Sequence, residues 1–240
     1  MKIDLVTLEQ GPDQSHVVPP PLTVAASQLA SLNAINETTS AFPQWFTRHG
    51  AVATDNLLIQ LVVQGNRTSL VRIVNMRPVV SCHPPLTGTL FYSPSAGADT
   101  STQILLNLDQ PLAPSRYIAD VNGSASGGTN FFQHFTVSLR HNEQYTFLVN
   151  TFTGTQYCEF TLAMTVLEGG RTVTETVGDG GRPFQVTAIE NEDSARPGAF
   201  SGYRELYVGG VATSGVAGGS GHNQFGDPLW LPADPTTFVG

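Results

Sequence analysis

Between Gln156 and Val177 the chain reads QYCEFTLAMTVLEGGRTVTETV, and the period of this stretch constrains the fold more than any other feature. Cys158, Phe160, Leu162, Met164 and Val166 fall on one parity, with mostly Glu, Thr and Ala on the other. Side chains alternate across a strand, so the pattern predicts a strand with one face on a core and one toward solvent. Gly169-Gly170 supplies the residues a tight hairpin turn needs, and the chain then returns alongside itself.

The same stretch holds Cys158, and the chain's only other cysteine is Cys82, 76 positions earlier. A bridge between them would tie the hairpin to a distant segment and, in the chain-entropy model, stabilise the fold by roughly 4 to 5 kcal/mol. A disulfide implies an oxidising compartment. The alternative is two buried thiols that pack as small hydrophobes.

Strand-like segments recur along the chain, alternating at Lys2 to Leu8, Leu57 to Val63 and Val71 with Ile73, and further at Val79 to Cys82, Thr87 to Ser93 and Gln103 to Asp109. They continue at Gln133 to Arg140, where Phe135, Val137 and Leu139 are the expected inward residues, then at Gln144 to Thr151, Pro183 to Ile189 and Tyr203 to Val208. Short strands separated by closely spaced turn signals predict an all-β fold, an immunoglobulin-like antiparallel β-sandwich. One helix is expected after the triple proline, over Leu22 to Asn36, with Leu22, Ala26, Leu29, Leu32 and Ile35 near one face. Ala41 to Ala53 reads as a connector whose Trp45 and Phe46 plug the end of a core. The chain thus divides into an N-terminal strand and helix extension (1–41), the sandwich (42–189) and a Gly/Pro-rich C-terminal extension (190–240). The tail reads as a flexible linker, although Phe225, Trp230 and Phe238 give it apolar groups to dock with.

Charged residues make up only 12 % of the chain, and Gly (24) and Pro (16) are abundant. This balance favours loop-rich β structure over helices with salt-bridged faces. A net charge of −8 with scattered arginines argues against nucleic acid as a partner. MKIDLVTLEQ is not a signal peptide, and no stretch has the roughly 20 apolar residues of a membrane helix.

The segments QLVVQGNRTSLVRIVNMR, CHPPLTGTLFYSPSAGAD and DGGRPFQV resemble those of uncharacterised proteins from Streptomyces and related actinobacteria. In that group a membrane-spanning helix precedes an extracytoplasmic β domain. The resemblance covers Phe42 to Ile189 and implies a cell-surface location, with membrane attachment only through a segment absent from this chain. It carries no activity over to any residue, because the shared motifs are turns and strand ends.

The chain carries no recognisable catalytic or cofactor motif. GAFSG at Gly198 and GSASG at Gly123 miss the spacing of a nucleophile elbow, and Lys2, the only lysine, rules out Ser-x-x-Lys chemistry. Cys82, His83 and Cys158 lack the paired spacing of structural zinc, and adjacent strand residues face opposite ways. His134 and His141 read as solvent-facing. Glu190, Glu192 and Asp193 could offer oxygens to calcium but lack EF-hand spacing, so a solvated loop is the simpler reading. The expectation is a non-enzymatic binding module without cofactor or metal. Its loops, at Tyr92, Ser95 and Asp99 and at Asn122 and Asn130, would engage a protein or envelope ligand. The rivals are an envelope glycan hydrolase using paired Asp/Glu and a structural subunit that self-associates through strand edges.

Overall fold

The computed structural model describes residues 1–9, 13–20, 23–94, 104–117, 130–190, 194–217 and 219–240. Its strands, in chain order, are β1 (Lys2–Glu9), β2 (His16–Val18), β3 (Val52–Thr54), β4 (Asn56–Gln64), β5 (Val71–His83), β6 (Thr89–Tyr92), β7 (Ile104–Asn107) and β8 (Arg116–Tyr117). There follow β9 (Val137–Leu139), β10 (Gln144–Phe152), β11 (Tyr157–Glu168), β12 (Arg171–Val177), β13 (Phe184–Thr187), β14 (Glu205–Val208) and β15 (Leu231–Ala233). Among the described residues, three short helices, α1 (Ala26–Asn33), α2 (Ala41–Arg48) and α3 (Phe131–His134), complete the regular structure with a 3₁₀ turn at Gly210–Gly215.

The fold is all-β. One sheet has the order β1-β4-β10-β7-β8, and the other runs β15-β14-β6-β2-β3-β13-β11-β5-β9 with β12 also on β11. Most pairings are antiparallel, but β10 with β7, β13 with β3 and β14 with β6 are parallel. The two sheets pack face to face. Leu57, Ile59, Leu61 and Val63 of β4, with Phe147 and Val149 of β10, meet Cys158, Phe160, Leu162, Met164 and Val166 of β11 in one core. Every one of these side chains is at most 1 % exposed, and burial of each large apolar group contributes about 1.5–3 kcal/mol.

β11 has the parity its sequence predicts, and Gly169 and Gly170 both take positive φ, 55° and 78°, as a two-residue hairpin turn requires. β5 pairs β11 along its whole length, Tyr157↔His83 to Glu168↔Val71. Its other edge is shared end to end, with β13 on Tyr157 to Phe160 and β12 on Leu162 to Glu168. Cys82 stands directly opposite Cys158 in this register, with their Cα atoms 4.2 Å apart, and the two are bonded. The disulfide therefore links neighbouring strands of one sheet, whereas the immunoglobulin bridge spans two.

Beyond the sandwich, β3, β2, β6, β14 and β15 extend the larger sheet. On one face Val17, Leu90, Tyr92, Leu206 and Val208 lie under Ala199, Phe200, Tyr203 and Phe238. On the opposite face Val18, Phe91 and Tyr207 pack against Leu32 of α1, Phe42, Trp45 and Phe46 of α2, and Trp230. All four residues of β6 are consequently buried, the burial of a strand covered on both faces.

The structure departs from the sequence expectations at several elements. The connector after Ala41 is helix α2: Phe42, Trp45 and Phe46 are spaced for one helical face, and Pro43 sits in the first turn, where its missing N–H costs nothing. Helix α1 is shorter than expected, although Leu32 is buried and Leu29 and Ile35 pack beside it; Leu22 lies outside the described residues. The segments Val71–Ile73 and Val79–Cys82 are one strand that runs through Pro78. Phe135 is 39 % exposed because α3 precedes β9 and breaks the alternation. β1 and β2, read as an extension, are hydrogen-bonded members of the two sheets. The tail is no linker at its aromatics: Trp230 and Phe238 are buried and β15 pairs β14, while Phe225 is exposed.

Candidate functional site

A groove of about 300 Å³ opens where β9 ends and the edge of β5 continues alone. Its floor and one wall are Asn75, Met76 and Arg77 of β5. The register against β11 passes from Thr165↔Asn75 to Val166↔Ile73, so Val74 is an extra residue. Such a bulge re-aims the side chains beside it, and here Asn75 and Arg77 face outward opposite Thr165 and Ala163 while Met76 stays in the core.

The opposite wall is the turn Pro111, Leu112, Ala113 and Pro114. Ala113 N–H donates to the Gln110 carbonyl at 2.8 Å with Pro111 between them, the position proline favours in a type I or II turn. Asp109 anchors the turn from below. Its carboxylate accepts from Thr153 Oγ1 and Gly154 N at 2.8 Å each and from Thr155 Oγ1 at 3.0 Å. A carboxylate with three donors holds its loop rigidly, and the held loop leaves Leu112 90 % exposed.

Asn130 closes the end of the groove. Its Oδ1 accepts from Phe132 N at 3.1 Å, capping α3, and its backbone bridges to Arg116. The carboxamide nitrogens of Asn75 and Asn130 and the guanidinium of Arg77 make no hydrogen bond or ion pair among the described residues. The groove therefore offers donors above an apolar wall, a lining suited to a ligand with acceptor oxygens and some apolar surface.

Of the residues the sequence singled out for recognition, Asn130 is the one the structure places at this groove. Tyr92 is corrected: it ends β6 at 7 % exposure, with its ring 4.9 Å from that of Phe200, and belongs to the core. Ser95, Asp99 and Asn122 lie outside the described residues, as do Glu192 and Asp193. Glu190 is half-buried beside Gly202, and its N–H donates to the Tyr203 hydroxyl at 2.9 Å. No group of three metal-ligating side chains occurs among the described residues. Asn75 and Arg77 were not singled out from sequence; the irregular spacing VRIVNMR was the available signal.

Two further titratable sites came only from the structure. His16 is 1 % exposed, its ring stacked 4.2 Å from that of Phe46, and among the described residues neither ring nitrogen has a hydrogen-bond partner of good geometry. Burial pushes its pKa down to about 4, against an opposing influence of the Gln14 backbone. Glu37 lies beside Asp227, whose Oδ2 accepts from the Glu37 N–H at 3.2 Å and from Asn223 Nδ2 at 3.2 Å. Burial, then the Asp227 charge, raises the Glu37 carboxyl to about 7. The Asp227 carboxylate thus joins the Glu37 backbone, just after α1, to the Asn223 side chain of the tail, which assigns it to holding that junction.

No protein-family model, curated protein or solved structure matches the chain.

Proposed function

We propose that the protein is an extracytoplasmic β-sandwich binding module that recognises a protein or cell-envelope ligand at the groove between β5 and the Pro111–Pro114 turn. The observation that carries this reading is the set of donors, Asn75, Arg77 and Asn130, uncommitted among the described residues and facing Leu112, which is held out in solvent by the Asp109-anchored turn. A ligand that covered Leu112 and paired with the Arg77 guanidinium, which has no partner among the described residues, would gain both an apolar contact and a charge-assisted hydrogen bond.

The Cys82–Cys158 bond is consistent with an oxidising, extracytoplasmic environment, and no helix of the described residues is long and apolar enough to cross a membrane. The resemblance to actinobacterial surface proteins supports the same compartment and attachment through a separate membrane segment.

The test is co-sedimentation of the purified protein with isolated actinobacterial envelope fragments, before and after protease treatment of the fragments. Wild type is expected in the pellet, and the Arg77→Ala, Leu112→Ser double variant in the supernatant with its melting temperature unchanged. Loss of binding after protease identifies a protein ligand, and retention identifies an envelope polymer. Equal sedimentation of wild type and variant overturns the assignment of the groove.

A further inference from the structure

Strand β12, seven residues long, pairs only β11 among the described residues, from Leu162↔Val177 to Glu168↔Arg171 without a register break. An open edge presents unpaired N–H and C=O groups that another strand can take up. Proteins blunt such edges with shortness, bulges, proline or like charges.

The other edges among the described residues are blunted in these ways. β1 carries a register break between Ile3 and Leu5 and a charged Lys2–Asp4 pair. β8 and β9 have two and three residues, and β15 has three with Pro232 at its centre. The open part of β5 contains Pro78, which has no N–H to offer. β12 has no proline, no lysine and no bulge, and its first four residues, Arg171 to Thr174, are all exposed.

Its two charges have opposite signs and stand symmetrically about Val173. If β12 meets a second β12 antiparallel with Val173 opposite Val173, Arg171 faces Glu175 of the other copy, and Glu175 faces Arg171. The same register sets Thr172 against Thr174 twice. Pairs that oppose directly share a face of the sheet, so the outer faces of both copies stay on one side and the contact closes as a twofold dimer. Moving the register by one residue pair in either direction places Glu175 opposite Val173 or Gly169 and loses both charge pairs. Val173, 41 % exposed in the single chain, would pack on its own copy.

We propose that two copies of this chain associate edge to edge through β12, in the register centred on Val173, to form a continuous sheet β9-β5-β11-β12-β12-β11-β5-β9. Arg171 and Glu175 then select this register and this partner, where charges of one sign would block pairing. The groove at β5 lies on the far side of β11 and stays open in the dimer, so this inference is independent of the ligand proposed for it.

Sedimentation velocity on the purified full chain across the micromolar range tests it, with Arg171→Glu, with Glu175→Arg, with the charge-swapped double variant and with a mixture of the two single variants. Wild type is expected to dimerise, and each single variant, which sets like charges opposite each other twice, to weaken dimerisation by about tenfold or more. The swapped variant and the mixture restore opposite-sign pairs and are expected to dimerise as wild type does. Circular dichroism melts confirm that each single variant is folded. A monomeric wild type at every concentration, or a dimer indifferent to these charges, overturns the proposal.

Discussion

Asn33 and Trp230, 197 positions apart, exchange two hydrogen bonds: the Trp230 N–H donates to Asn33 Oδ1 at 2.8 Å, and Asn33 Nδ2 donates to the Trp230 carbonyl at 3.1 Å. The last residue of α1 thereby serves the tail as a strand neighbour would, and the indole that follows is held at 1 % exposure between Phe46 and Phe91. The tail is a structural part of the second core.

Gly209 lies flat against that indole, and a Cβ there would come within 2.7–2.8 Å of its ring atoms. Gly209→Ala is expected to displace Trp230 and cost about 1–3 kcal/mol, and Trp230→Ala about 3–5 kcal/mol. Urea unfolding midpoints measure both. A red shift of the fluorescence of Gly209→Ala, in a chain with only two tryptophans, reports the exposed ring.

Glu37 makes the junction sensitive to pH. Its folded pKa of about 7 lies above the ordinary carboxyl value of 4.5, so between these values the folded chain keeps a proton that the unfolded chain has lost. Stability therefore falls as pH rises from 4.5 through 7. Because Glu37 is partly exposed, solvent screening limits the effect to about 1 kcal/mol. Glu37→Gln is expected to be more stable than wild type at pH 8 and equal to it at pH 4, read from denaturation midpoints.

His16 acts in the opposite direction. Its folded pKa of about 4 lies below the ordinary 6.5, so its contribution is fully present above pH 6.5 and is lost as pH falls toward 4. His16→Leu keeps a similar volume and removes two unsatisfied nitrogens. It is expected to gain about 1 kcal/mol at pH 7 and to gain more at pH 5, where the folded ring stays neutral while His16 of the unfolded wild-type chain takes up a proton.

Replacing both Cys82 and Cys158 with alanine is expected to cost about 2–5 kcal/mol, since the bond closes a long loop of the unfolded chain. Mass spectrometry of the native protein after alkylation should find no labelled thiol, and label on both cysteines would contradict the bond.

Much of the sandwich was legible because its signal is local. Cys158, Phe160, Leu162, Met164 and Val166 all lie on the core face as their alternation requires, and the two glycines after Glu168 form the turn. The candidate site was far less legible. Asn130 could be picked out as a loop residue, but Asn75 and Arg77 face a groove only because Val74 bulges and because Asp109 fixes a turn from another sheet. Helix α2 was missed because three aromatic residues within a single short helix barely establish a period.

The sequence by itself determined the all-β class, the hairpin from Gln156 to Val177 and the inward face of its first strand, because side-chain parity along a strand depends on nothing beyond the strand. It also held the symmetric charges of β12. Tertiary structure alone decided that Cys82 stands opposite Cys158, that His16 is buried against Phe46 and that Trp230 returns to Asn33. Each is a contact between segments far apart in the chain, set by strand order and register, which no local period encodes.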